Sequence, residues 1–191
     1  MTKKIIVFGA SNSKQSINKQ LAEYTAQQLT GVKTTVLELN NFELPIYSID
    51  LEKESGIPAN ALRFSQFIKE SDAIIISLAE YNGLHTSVFK NLWDWLSRIP
   101  MEKPMDIWKN KPMFLLSTSP SKRPTSNVIR VSKELFPHFG ANIIASFHLP
   151  SFNHYFKGGQ IINEEQQLKF KEQLNEFQLH LDGLNELNPK N

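Results

Sequence analysis

The sequence predicts an α/β domain whose five strands form a parallel sheet covered by helices on both faces. Three observations predict it. Short runs rich in Ile, Val and Leu alternate five times with stretches of helical period. The runs are continuously apolar, as expected of strands buried on both faces. The length, 191 residues with 40% hydrophobic residues including 13 Phe and 3 Trp, supplies enough apolar material for one sizeable core.

Each element follows in order. Lys4-Ile5-Ile6-Val7-Phe8 is the first strand. From Ser16 the period changes, with Ile17, Leu21, Tyr24 and Leu29 on one helix face and Gly31 placed to end the helix. Residues 34–39 read as the second strand, and 40–57, punctuated by Pro45 and Gly56, as irregular chain. Pro58 opens a helix that puts Leu62, Ser65 and Ile68 on one face. Residues 73–78 form the clearest strand and lead through Glu80-Tyr81-Asn82-Gly83 into a helix carrying Val88, Leu92, Trp95 and Leu96. Residues 112–117 are the fourth strand. The helix after it carries Val128, Val131, Leu135 and Phe139, with Pro137 to kink or end it and Gly140 to close it. Residues 142–147 are the fifth strand. Asn163 and Gln166 resemble a capping pair before an amphipathic helix bearing Phe170, Leu174, Phe177 and Leu181. The chain, 1–191, reads as one domain with a disordered tail from about residue 183.

Composition excludes several functions. There is no Cys, so a disulfide framework, a thiolate metal site and a Cys nucleophile are ruled out. The five histidines show no ligand spacing, and no metal site is expected. Lys+Arg exceed Asp+Glu by 21 − 19 = 2, with no dense basic patch, which argues against nucleic acid. No apolar run approaches the roughly 20 residues of a membrane span, and the N-terminus lacks a signal-peptide pattern. A cytoplasmic protein without membrane attachment is expected.

In an open parallel sheet, ligands bind beyond the carboxyl ends of the strands, where strand order reverses. Those ends fall at residues 9–18, 78–83 and 117–123, all rich in small or polar residues. The first loop is neither GxGxxG nor Walker A. It places Ser11, Ser13 and Ser16 before a helix N-terminus, where hydroxyls, free N–H groups and the dipole suit a phosphate. A serine-rich turn capped by Ser16 fits the same residues.

Residues 79–95 resemble the P-E-Y-N-x-S-x-P-x-x-L-K-N-x-x-D-W stretch of the NAD(P)H-dependent FMN reductase family, matching at Glu80, Tyr81, Asn82, Lys90, Asn91, Asp94 and Trp95. The first loop is similar to the family's G-S-x-R-x-x-S-x-N-x-x-L-A pattern through Ser11, Ser16, Asn18, Leu21 and Ala22. The resemblance covers about residues 3–156. It implies a flavodoxin-like doubly wound sheet of order 2-1-3-4-5. It also implies an enzyme in which NADPH or NADH gives hydride to FMN, and a flavin, quinone, azo or metal acceptor takes the electrons. The FMN phosphate would meet Ser11, Ser13, Ser16, Ile17 and Asn18. The ring would rest on Glu80, Tyr81, Asn82 and Gly83, with Ser117, Ser119 and Lys122 closing one side. No side-chain acid or base is required, so no catalytic residue is assigned.

The chain departs from the family pattern at informative points. Ser13 stands where the family has an arginine for the FMN phosphate, which implies weaker binding. Pro124-Thr125 replaces a glycine pair, implying a stiffer third loop. The family's dimers and tetramers form through the helix after residue 86. The Phe89, Trp93 and Trp95 cluster fits helix packing as well as an interface; the resemblance favours the interface and implies a homodimer or homotetramer with Phe89, Lys90, Asp94 and Trp95 near the contact and aromatic surface exposed there. The alternative is a flavodoxin-type electron carrier that binds FMN without its own NAD(P)H reaction. Against it stand the +2 charge and a first loop without T/S-x-T-G-x-T.

Overall fold

The computed structural model describes residues 2–186. Five strands form one sheet: β1 (Lys3–Ala10), β2 (Val32–Leu37), β3 (Ala73–Leu78), β4 (Pro112–Thr118) and β5 (Asn142–Leu149). All neighbours pair in parallel and the order is β2-β1-β3-β4-β5. The flavodoxin-like α/β architecture expected from the sequence is thus observed. Every residue of β3 and β4 is buried, which explains their unbroken apolar runs.

Helices α1 (Ile17–Gln27), α2 (Ile49–Ser55), α3 (Ala59–Glu70), α4 (Ser87–Leu96), α5 (Asn127–Leu135), α6 (Phe152–Tyr155) and α7 (Glu164–Glu186) connect and cover the strands. Two cores result. Phe8, Phe64, Phe89, Trp108 and Phe136 fill the face under α3, α4 and α5. Leu21, Phe114, Phe147, Phe170 and Phe177 fill the face under α1 and α7. Gly9 is a space requirement: a Cβ there would fall 2.6 Å from the Lys19 backbone nitrogen, so only glycine lets α1 lie against β1.

The sequence reading needs four corrections. Residues 49–55, read as irregular, form α2, which buries no residue and so shows no apolar period. Pro58 is the residue before α3, whose buried face is Ala61, Phe64 and Ile68; Leu62 faces solvent. The second strand begins and ends two residues earlier than expected. Most consequentially, α4 does not expose aromatic surface: Phe89 and Trp95 are fully buried and Trp93 nearly so. They are core, and the premise for an aromatic contact on this helix is overturned. Asn163 caps α7 as expected, its Oδ1 accepting from the Gln166 N–H at 3.0 Å. α7 continues to Glu186; the rest of the expected tail lies outside the described residues.

Candidate functional site

The carboxyl ends of β1, β3 and β4 adjoin, and buried polar side chains bind their loops together. Asn18, in the first turn of α1 and 4% exposed, is the central strut. Its Oδ1 accepts from Ser77 Oγ (2.8 Å) and the Thr118 N–H (3.0 Å), and its Nδ2 donates to the Thr118 carbonyl (3.2 Å). Thr86 caps α4 and donates to the Ala10 carbonyl at 2.9 Å, tying the start of α4 to the end of β1.

The first loop ends at Ser16, whose Oγ accepts from the Lys19 N–H and caps α1. Ser11 is buried and accepts from the Ser13 N–H at 3.1 Å, while the Ser13 side chain is exposed. Among the described residues, the N–H groups of Ile17 and Asn18 meet no protein acceptor, as expected of the first turn of a helix. Lys19 is committed to Glu38 at 2.5 Å, which raises its pKa, so its charge serves the fold.

The second loop is a β-hairpin. Glu80-Tyr81 pairs antiparallel with Leu84-His85, and both turn residues, Asn82 (φ 53°) and Gly83 (φ 85°), have positive φ. This is the geometry that an Asn-Gly pair adopts at low cost. Glu80 turns inward and accepts from Val128 N–H (3.1 Å), Ser126 Oγ (3.1 Å) and Arg123 Nη1 (3.3 Å). It thereby links the hairpin to the third loop and the first turn of α5. Tyr81 stands exposed at the rim.

Between the hairpin and the third loop lies a cleft of about 420 Å³. Glu80, Asn82, Gly83 and Ser119 line it, as do Thr125, noted above only as a loop-stiffening departure, and Ser121, Arg123, Asn127 and His148, which the sequence reading did not assign to the site. Ser117 is buried 3.2 Å from Ser126 Oγ and does not line it. Nor does Lys122, which lines a separate cavity. His148 Nε2 donates to the Arg123 carbonyl (3.2 Å), and its buried Nδ1 has no partner among the described residues. Burial lowers its pKa, opposed by the Arg123 and Ser117 carbonyls.

The other motif residues of α4 act elsewhere. Asn91 accepts from the Tyr47 N–H (2.8 Å) and donates to the Pro45 carbonyl (3.0 Å), to which Trp95 Nε1 also donates (2.8 Å). They strap residues 44–47 to α4. Lys90 and Asp94 form an exposed pair at 2.6 Å, of the kind that contributes a few tenths of a kcal/mol.

The fold and this surface define a class: open α/β proteins with a helix N-terminus after β1 and a polar cleft beyond the carboxyl ends of β3 and β4. A model of NADPH-dependent FMN reductases matches residues 3–154. The chain belongs to that family, whose members are FMN- and NAD(P)H-using reductases. It is 30% identical over 98 residues to a quinone reductase of Escherichia coli, a match covering 49% of this chain and 50% of that protein. An NAD(P)H-dependent FMN reductase of Pseudomonas aeruginosa is 34% identical over 83 residues, 44% of this chain and 42% of that one. The chain thus spans about half the length of these curated relatives. A flavoenzyme NAD(P)H:(acceptor) oxidoreductase from Paracoccus denitrificans shares the fold, with a TM-score of 0.74 and 23% identity over 95% of this chain and 98% of that one. No helix among the described residues is long and apolar enough to cross a membrane.

The residues present fit FMN. The N–H groups of Ile17 and Asn18, at the N-terminus of α1, meet no acceptor among the described residues and are donors suited to a phosphate dianion. The adjoining cleft presents amide, hydroxyl and guanidinium groups suited to a heteroatom-rich ring.

Proposed function

We propose that this chain is an FMN-dependent NAD(P)H oxidoreductase acting on a small-molecule electron acceptor: a free flavin, a quinone, an azo compound or a metal ion. The observation that carries the reading is the meeting of three strand ends on one surface, the helix N-terminus of the first loop beside the polar cleft between the second and third. When bound, FMN supplies the redox chemistry, accepting hydride from NAD(P)H and giving up electrons to the acceptor.

The chain's own residues bind and orient. Ser11, Ser13 and Ser16, with the N–H groups of Ile17 and Asn18, hold the phosphate. The Asn82-Gly83 turn lets backbone approach the ring closely, since glycine carries no Cβ into that space. Glu80 holds the hairpin, Arg123 and α5 in register. Asn18 keeps the first and third loops at a fixed separation. Such preorganisation is what the hydride step needs from the protein, and no side-chain acid or base is required.

The reading includes a cytoplasmic location and a homodimer or homotetramer. What supports self-association is a groove between α4 and α5, in which Leu84 (55% exposed), Trp93, Val131, Leu135 and Phe139 lie beside His85, Lys90, Asp94 and Ser97. Anaerobic mixing of the FMN-loaded chain with NADPH or NADH tests the reading: rapid loss of the oxidised-flavin absorbance is expected. Bound flavin that bleaches only slowly would favour the electron-carrier alternative.

A further inference from the structure

We infer that the cavity outside the third loop is a second nucleotide subsite, which takes the phosphate-bearing adenylate end of the nicotinamide dinucleotide. The inference rests on the reductase reading above and extends it to how the co-substrate is held.

The third loop separates two cavities. Ser121 and Arg123 face the cleft beside the hairpin, whereas Lys122 and Pro124 face a cavity of about 510 Å³ on the other side. Pro150, Ser151, His154, Tyr155 and Gln166 complete that second cavity. Its chemistry has one sign. No carboxylate lines it, and among the described residues Lys122 joins no ion pair. An ammonium, an amide and hydroxyls are donors for phosphate oxygens. The Tyr155 and His154 rings, beside two prolines, offer flat surface for a purine.

The walls are built in advance. The Ser121 carbonyl accepts from the Ser151 N–H at 2.7 Å, and the Ser119 carbonyl from the Phe152 N–H at 3.0 Å. Ser151 is itself held at φ 50°, a left-handed conformation that costs energy for a non-glycine residue and persists only where its surroundings enforce it. A dinucleotide whose nicotinamide end meets the flavin ring over the cleft would reach this cavity across the third loop, whose residues line both. A phosphate on Lys122 has two possible sources, the adenylate half and FMN, and the test separates them.

The full chain is titrated calorimetrically with ADP-ribose and with 2′-phospho-ADP-ribose, neither of which carries the nicotinamide ring, in the absence and presence of FMN. Saturable binding of at least one, with FMN present or absent, is expected. Lys122→Gln weakens it about tenfold or more, the loss expected for a charge-assisted hydrogen bond, and leaves FMN affinity within about twofold. Tyr155→Phe, which keeps the ring and its packing, weakens it severalfold, with far-UV circular dichroism confirming that both variants fold. No binding of either probe at millimolar concentration overturns the subsite. So does binding that Lys122→Gln leaves unchanged, or a Lys122→Gln effect on FMN alone. A chain that binds ADP-ribose but not FMN keeps the subsite and contradicts the flavin reading; one that binds FMN but neither probe does the reverse.

Discussion

Asn18 sits where three strand ends meet, and its amide is consumed in joining them. Truncation to Ala leaves Ser77 Oγ and the Thr118 N–H and carbonyl without partners in a buried position. Each stranded buried group costs about 1–3 kcal/mol, so Asn18→Ala is expected to lower the unfolding free energy by about 3 kcal/mol or more. Urea denaturation checks this, and an unchanged midpoint at unchanged slope would show that the strut is dispensable. The motif spacing pointed to Asn18, Asn91 and Trp95, yet not to what each does. A motif marks a position without saying whether its side chain touches ligand or holds a loop, and here the side chains of all three make bonds within the protein. Arg123 was missed for a different reason. In the third loop residues 121 and 123 face one cavity and 122 and 124 another, a direction that no period in the sequence marks.

Between α4 and α5, His85 is boxed by aromatic rings. It stacks on Phe136 at 5.7 Å and meets Trp93 edge-on at 5.6 Å, and its Nε2 lies 2.8 Å from Ser132 Oγ. Burial, then the Lys90 charge, push its pKa down from 6.5 to about 4. The folded value lies below the unfolded one, so the neutral ring's contribution is intact above about pH 6.5. As the pH falls from there towards about 4, the unfolded chain takes up a proton that the folded chain refuses, and stability drops. Allowing for partial exposure, the loss is on the order of 1–2 kcal/mol. Urea midpoints measured at pH 7 and pH 4.5 should fall further for the wild type than for His85→Gln, and equal falls would remove His85 as the cause. At this scale, strands and long helices were legible because burial imposes a period. The short α2 was not, since it buries nothing, and the face of α3 was misassigned because Ala61 carries little hydrophobic signal beside exposed Leu62. The aromatic residues of α4 fit both a core and a contact by sequence, and they fill the core.

Across the whole molecule, the strand order follows from the alternation of elements together with the family resemblance, and it brings residues some 70 and 110 positions apart onto one surface. The three loop positions were legible from topology alone, because strand ends in a parallel sheet must share an edge. Which side chains line the cleft was not, since that depends on a hairpin turn and a loop whose directions only the packed structure sets. On the reading proposed above, this edge holds FMN by its phosphate as well as its ring. The measurement that tests it most directly is a fluorescence titration of the purified chain with FMN, and in parallel with riboflavin, which lacks the phosphate. Saturable quenching by FMN is predicted, with riboflavin about tenfold or more weaker, as expected for the loss of charge-assisted bonds. Absence of FMN binding at high micromolar concentration, or equal affinity for both flavins, would contradict it.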